Sequence, residues 1–192
     1  IAGSTDAGVF YGIQTLRKSI PATAQGMNVE LPAATINDYP RFAYRGMMLD
    51  VSRHFFPVDS VKTYLDILAL HNQNTFHWHL SDDQGWRIEI KKYPELTQIG
   101  SKRKETVIGH NSGTYDGKEY GGFYTQDQIR DVIDYAAERH ITIIPEIDMP
   151  GHQLAALATY PELGCTGGPY DVWGQWGVAD DVICAGNEKS MQ

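Results

Sequence analysis

Long apolar runs are missing from this chain. No stretch of about 18 apolar residues occurs, so no helical membrane span is expected. Positive charge is in deficit: 16 Lys and Arg stand against 24 Asp and Glu, a net charge of −8. That balance argues against nucleic acid and anionic membrane surfaces as partners, and it leaves a neutral ligand open. No glycine-rich turn follows any of the strand-like runs, which removes support for a doubly wound nucleotide-binding sheet. Cysteine is limited to Cys165 and Cys184. They either close a Gly- and Trp-rich loop as a disulfide, if the protein is exported, or remain free thiols. No leader peptide is visible and the chain opens at Ile1 rather than Met, which predicts a processed or excised piece. A missing leader therefore does not argue for the cytoplasm. At 192 residues the chain can build one core. It is short of the roughly 250 residues of a complete eight-fold α/β barrel.

Two strand-like runs organise what is present. Asn74 to Leu80 leads into Ser81-Asp82-Asp83, and Ile141 to Asp148 leads into Met149-Pro150-Gly151-His152. A third dense apolar run, Tyr44 to Val51, ends in Ser52-Arg53-His54. Amphipathic helices are predicted between them: one after Pro57 with Val61, Tyr64, Leu65 and Leu68 on a stripe, and one after a Thr125–Gln128 capping box with Ile129, Val132, Ile133 and Ala136. Strand–helix–strand alternation predicts parallel strands with right-handed crossovers. An earlier amphipathic helix is expected over residues 5–19, and an edge or lone strand over Val29–Ile36, where Pro32 limits pairing. Residues 84–124 form a long excursion that opens on an alternating Trp86–Ile90 strand and would lie over the functional face. A further helix is expected from Pro150, carrying Leu154 and Leu157, and the start of another from Glu188 to Gln192.

The fold class that follows is α/β: a partial (β/α)8 barrel, about three β/α units, cut before the fourth strand. Residues 1–38 read as the tail of a preceding small α/β domain with its linker, and residues 39–192 as barrel.

Parallel barrels present their chemistry at the C-terminal ends of strands. Arg53 falls there, and its fork can grip adjacent hydroxyls or serve an ordinary salt bridge. Asp82 and Asp83 could bind hydroxyls, orient a histidine, or simply make a turn. Glu146 and Asp148, two apart, share one side of their strand, opposite Ile143 and Ile147. His152 follows Asp148 by four residues and could pair with it if a helix starts at Pro150. His77 and His79 also share a side and could clamp a metal. Alternation puts Asp82 on the opposite side, which favours buried histidines between sheet and helices instead.

The stretches RGMMLDVSRHFFPVDSVKTYLDILALHNQNTFHWHLSDDQGWRIEI and IIPEIDMPGH resemble the catalytic barrel of family 20 glycoside hydrolases, the β-N-acetylhexosaminidases. GVFYGIQTL is similar to the segment that leads from that family's small N-terminal domain into the barrel. The resemblance implies exo-removal of a terminal N-acetylglucosamine or N-acetylgalactosamine from an oligosaccharide or glycoconjugate with retention of configuration. It implies substrate assistance: the acetamido oxygen attacks the anomeric carbon and forms an oxazolinium intermediate, departing from the usual two-carboxylate scheme. Arg53 matches the arginine that binds ring hydroxyls, Asp82 the acid that supports it, and Asp148 with His152 the pair that tunes the general acid. The Asp-Glu dyad that assists the acetamido group and donates the proton has no match in these residues, so the chain alone is expected to be inactive. No metal or organic cofactor is implied. An exported location, and association with the rest of the barrel or with another copy, are the remaining expectations. A non-catalytic sugar-binding half-barrel and a metal-dependent hydrolase using His77 and His79 stand as alternatives.

Overall fold

The computed structural model describes residues 1–24, 26 and 28–191. Helix α1 (Asp6–Ser19) is capped by the Thr5 hydroxyl, which accepts from the Gly8 N–H, and it ends at Ile20. The predicted strand over Val29–Ile36 does not form; those residues carry no regular structure and are largely exposed. Pro32 offers no N–H there, and the sheet lies elsewhere in the chain.

Strand β1 (Gly46–Asp50), helix α2 (Val58–Leu70) and strand β2 (Thr75–His79) form the first βαβ unit. After the excursion, helix α4 (Gln126–Ala137) and strand β7 (Thr142–Glu146) complete the second. Both arms of the Thr125–Gln128 capping box are made. The three strands pair in the order β1-β2-β7, all parallel. Asp50, His79 and Glu146 sit level with one another at their C-terminal ends.

One face of the sheet makes the core. Phe76 and Trp78 of β2 and Leu80 just past its end alternate and are at most 1% exposed. They meet Val61, Leu65 and Leu68 of α2 and Val132 and Ala136 of α4. Each large side chain buried this way contributes about 1.5–3 kcal/mol. Strands β1 and β7 are both open edges, and Met47, Met48 and Ile144 are exposed along them. No helix among the described residues is long and apolar enough to cross a membrane.

The excursion is more structured than its composition predicts. Strand β3 (Ser81–Asp82) turns back and pairs antiparallel with β4 (Gly85–Trp86), so the expected Trp86–Ile90 strand is instead a two-residue arm of a tight hairpin. A one-turn helix α3 (Glu95–Gln98) follows, then a second small hairpin of β5 (Lys102–Arg103) and β6 (Tyr120–Gly121). The helix expected from Pro150 starts only at Leu154: α5 is Leu154–Leu157, and His152 has left-handed backbone at φ 57°. The C-terminal residues form a 3-10 turn over Glu188–Met191, and Gln192 lies outside the described residues. Cys165 and Cys184 are both free thiols. They lie against each other, and a bond from Cys184 pushes the Cys165 thiol up.

Candidate active site

The ends of β1, β2 and β7 converge on Asp82, which is 1% exposed. Its Oδ2 takes Arg53 Nη1 at 2.5 Å and His79 Nε2 at 2.7 Å. Its Oδ1 takes His152 Nδ1 at 3.1 Å and the Asp83 N–H at 2.7 Å. One carboxylate thus joins groups from three strand ends. Arg53 Nη1 also reaches Asp50 Oδ2 at 3.0 Å. Among the described residues, Nε and Nη2 of Arg53 have no hydrogen-bond partner, so most of the fork remains free for a ligand.

His79 belongs to this cluster, contrary to the expectation that it would sit between sheet and helices. The parity rule fails because β2 stops at His79. The chain passes through Leu80 and folds back into the β3–β4 hairpin, which swings Asp82 to the side of His79. The other ring nitrogen, Nδ1, lies 2.8 Å from Glu146 Oε2, and His77 Nε2 reaches the same oxygen at 2.5 Å. The metal clamp allowed for His77 and His79 is therefore not formed; both nitrogens of His79 already face carboxylates. A neutral imidazole has only one donor, so that geometry calls for the imidazolium. Burial pushes the His79 ring down, but hydrogen bonds to Asp82 and Glu146 outweigh it and hold the ring up, to about 9. Burial pushes Glu146 up in turn, and its bond to His79 outweighs this and holds it below the usual range.

A pH dependence follows. The folded pKa of His79 lies above its ordinary 6.5, so its contribution to stability is whole below pH 6.5 and is lost as the pH rises through about 9. The urea midpoint of the chain is expected to fall across that window, and the fall is expected to flatten in His79→Gln. An equal fall in the variant would assign the titration to another group.

His152 does not pair with Asp148 as the spacing predicts. With no helix turn at Pro150 and a left-handed backbone at 152, the ring is aimed at Asp82, and at Asp83 Oδ2 3.4 Å away. Asp148 stays close: its carboxylate, that of Asp82 and a ring nitrogen of His152 lie within 4.8 Å of one another. Asp83 is fully buried, accepting from the Leu154 N–H at 3.1 Å and the Ala179 N–H at 3.4 Å, and burial pushes its carboxyl up. The four predicted residues Arg53, Asp82, Asp148 and His152 are thus gathered at one place, and His79, Glu146 and Asp83 join them. Glu146 was legible from its spacing with Asp148; no sequence signal gave the fold-back that recruits His79. A surface hollow of about 530 Å³ between Phe55, Val58, Gly122 and Phe123 is lined by none of these residues.

These features define a parallel α/β protein with a buried, ion-paired polar site at its strand ends. The profile of the glycosyl hydrolase family 20 catalytic domain matches residues 42–192, and that of the family's domain 2 matches residues 1–39. The chain belongs to glycosyl hydrolase family 20. It is 49% identical over 194 residues to a β-hexosaminidase of Porphyromonas gingivalis, covering 98% of this chain and 24% of that protein. To a β-hexosaminidase of Vibrio furnissii it is 48% identical over 162 residues, covering 84% of this chain and 26% of the relative. A Streptomyces plicatus β-hexosaminidase solved with its product GlcNAc superposes with a TM-score of 0.85 at 42% identity, covering 97% of this chain and 36% of that one. The chain therefore spans about a quarter to two-fifths of these relatives.

Proposed function

We propose that these residues are part of the catalytic barrel of an exo-acting β-N-acetylhexosaminidase, with the boundary between a small N-terminal domain and the barrel near residues 38–39. The observation that carries this is Asp82, buried between the sugar-facing arginine and the histidine. Arg53 offers a planar, multi-donor fork at a strand end, suited to adjacent hydroxyls. Asp82 neutralises that fork and fixes its angle. His152 hangs from the same carboxylate through Nδ1, which sets its tautomer and leaves Nε2 free to meet the general acid. Asp148 supplies further negative charge beside that histidine.

In this reading the substrate is an N-acetylhexosamine at the end of an oligosaccharide or glycoconjugate. Its acetamido oxygen attacks the anomeric carbon as the glycosidic bond breaks, and a carboxylic acid gives its proton to the departing oxygen. That carboxylate then takes a proton from water, which opens the oxazolinium with net retention. The Asp-Glu dyad for these steps is expected outside the 192 residues, as are the strands that cover the open edges of β1 and β7, unless a second copy covers them. An exported location fits a sugar-degrading role. The metal-dependent alternative is disfavoured, since both His79 nitrogens and Nε2 of His77 face the carboxylates of Asp82 and Glu146.

The test is hydrolysis of p-nitrophenyl N-acetyl-β-glucosaminide. The isolated chain is expected to show no turnover above buffer, and the same residues within a complete barrel are expected to show it. Turnover by the isolated chain would overturn the assignment of the proton donor. No turnover by the complete barrel would overturn the activity itself.

A further inference from the structure

The excursion over residues 84–124 has no group in the cluster around Asp82 beyond the hairpin at its start, yet it reaches the site from behind. The three residues that end in Arg53 have every backbone polar group occupied. Val51 N–H donates to the His79 carbonyl at 3.3 Å, and the Ser52 and Arg53 N–H groups both donate to Asp50 Oδ1, at 2.8 and 3.0 Å. Among the described residues their carbonyls accept only from guanidinium groups of the excursion. Arg87 Nε donates to Val51 O at 3.1 Å and Arg87 Nη2 to Ser52 O at 2.6 Å. Arg103 Nη1 donates to Arg53 O at 2.8 Å.

Arg103 is itself held by several groups. It is 2% exposed, its Nε donates to Thr106 Oγ1 at 2.9 Å, and its guanidinium lies 4.5 Å over the Tyr120 ring. The void left between Arg53, Gln84, Arg103 and Trp176 is about 10 Å³, at or below the room one water needs. The Arg53 backbone is thus tied on both sides, by Asp50 at its N–H and by Arg103 at its carbonyl. A hydrogen bond between a planar fork and two hydroxyls is directional, so a small rotation of the Arg53 backbone would spoil it while leaving the charge in place.

We propose that Arg103 is a positioning residue: through the Arg53 carbonyl it fixes the angle at which the Arg53 fork meets the sugar, and this is what the excursion contributes to the site. The inference rests on the reading of Arg53 as the arginine that binds ring hydroxyls, which in an N-acetylhexosamine are those at C3 and C4.

The test compares kcat/KM for an N-acetylhexosaminide and for its analogue deoxygenated at C3 or C4, in the complete-barrel enzyme. A merely structural role lowers the amount of active enzyme for both substrates equally and leaves their ratio unchanged. Removing a hydroxyl bonded to a charged donor is expected to cost the parent enzyme about 10- to 100-fold. Arg53→Ala is expected to abolish that discrimination. Arg103→Lys keeps a positive charge but loses the fork, and is expected to shrink the ratio about three- to tenfold. Thr106→Val, which removes the acceptor of the Arg103 Nε without touching its charge, is expected to act in the same direction and guards against a poorly folding Arg103 variant. If Arg53→Ala collapses the ratio and neither Arg103→Lys nor Thr106→Val changes it, the positioning role is overturned and the proposed function stands. If Arg53→Ala leaves the ratio intact, the reading of Arg53 fails and this inference fails with it.

Discussion

Asp82→Asn is expected to destabilise the chain by about 3–5 kcal/mol and to cost a complete barrel at least about 100-fold in kcat/KM. The substitution changes no volume and removes one charge. What it leaves behind decides the size of the effect. Oδ2 serves both Arg53 and His79, and Oδ1 serves both His152 and the Asp83 N–H. Every one of those four groups is a donor. An amide in the same place must turn its own NH2 toward one pair, so two donors lose an acceptor at a site where Asp82 is 1% exposed. Urea unfolding measures the first effect, and the titration of His79 reports the cause, because losing Asp82 must lower the pH at which that ring deprotonates. An unchanged midpoint, with His79 still titrating near its present value, would show that the cluster is held from elsewhere.

Arg87→Met is expected to abolish cooperative unfolding of the chain at 25 °C. Arg87 is 0% exposed and has no carboxylate partner among the described residues; its guanidinium donates to the carbonyls of Val51, Ser52, Gln84, Ser101 and Gly122. Those carbonyls come from just past the end of β1, the β3–β4 hairpin and the residues on either side of the β5–β6 hairpin, so one side chain ties four separate pieces of backbone together. Burial pushes the group down to about 10, and it still carries its proton at neutral pH. A methionine fills similar space but donates nothing. Ser101 O keeps the Gly122 N–H and Gln84 O keeps Arg103, but the carbonyls of Val51, Ser52 and Gly122 lose their donor. Each buried carbonyl so stranded costs about 1–3 kcal/mol, and three together are comparable with the roughly 5–15 kcal/mol that typically holds a domain together. Gly85→Ala is expected to act in the same direction, because a Cβ there would collide with the Arg87 guanidinium. Near-UV circular dichroism and a urea titration check both variants. A sharp transition in Arg87→Met within about 1 kcal/mol of the parent would show that water replaces the guanidinium.

Much of this molecule was legible from local pattern. The apolar run before Asp50, the alternating Phe76, Trp78 and Leu80, and the Thr125–Gln128 capping box each act over a few residues, and all three formed where the pattern put them. Propensity and periodicity suffice for such elements because their hydrogen bonds and apolar stripes close within one helix or one strand face. Strand ends as the place of chemistry also followed, since parallel strands joined by helices bring like ends together.

The gathering of the site was another matter. Residue pattern was enough for three parallel strands, the helices that cover one face of them, and Arg53, Asp82, Asp148 and His152 as residues near the strand ends. Tertiary structure alone decided who touches whom. His79 met Asp82 because β2 ends at His79 and the chain folds back into the β3–β4 hairpin, and His152 turned to Asp82 rather than Asp148 because its backbone is left-handed. Arg87 and Arg103 became the bolts behind Arg53 because their acceptors are main-chain carbonyls from distant segments. Every residue carries a carbonyl, so a bond to one leaves no mark in the sequence; only the folded backbone selects which of them face an arginine.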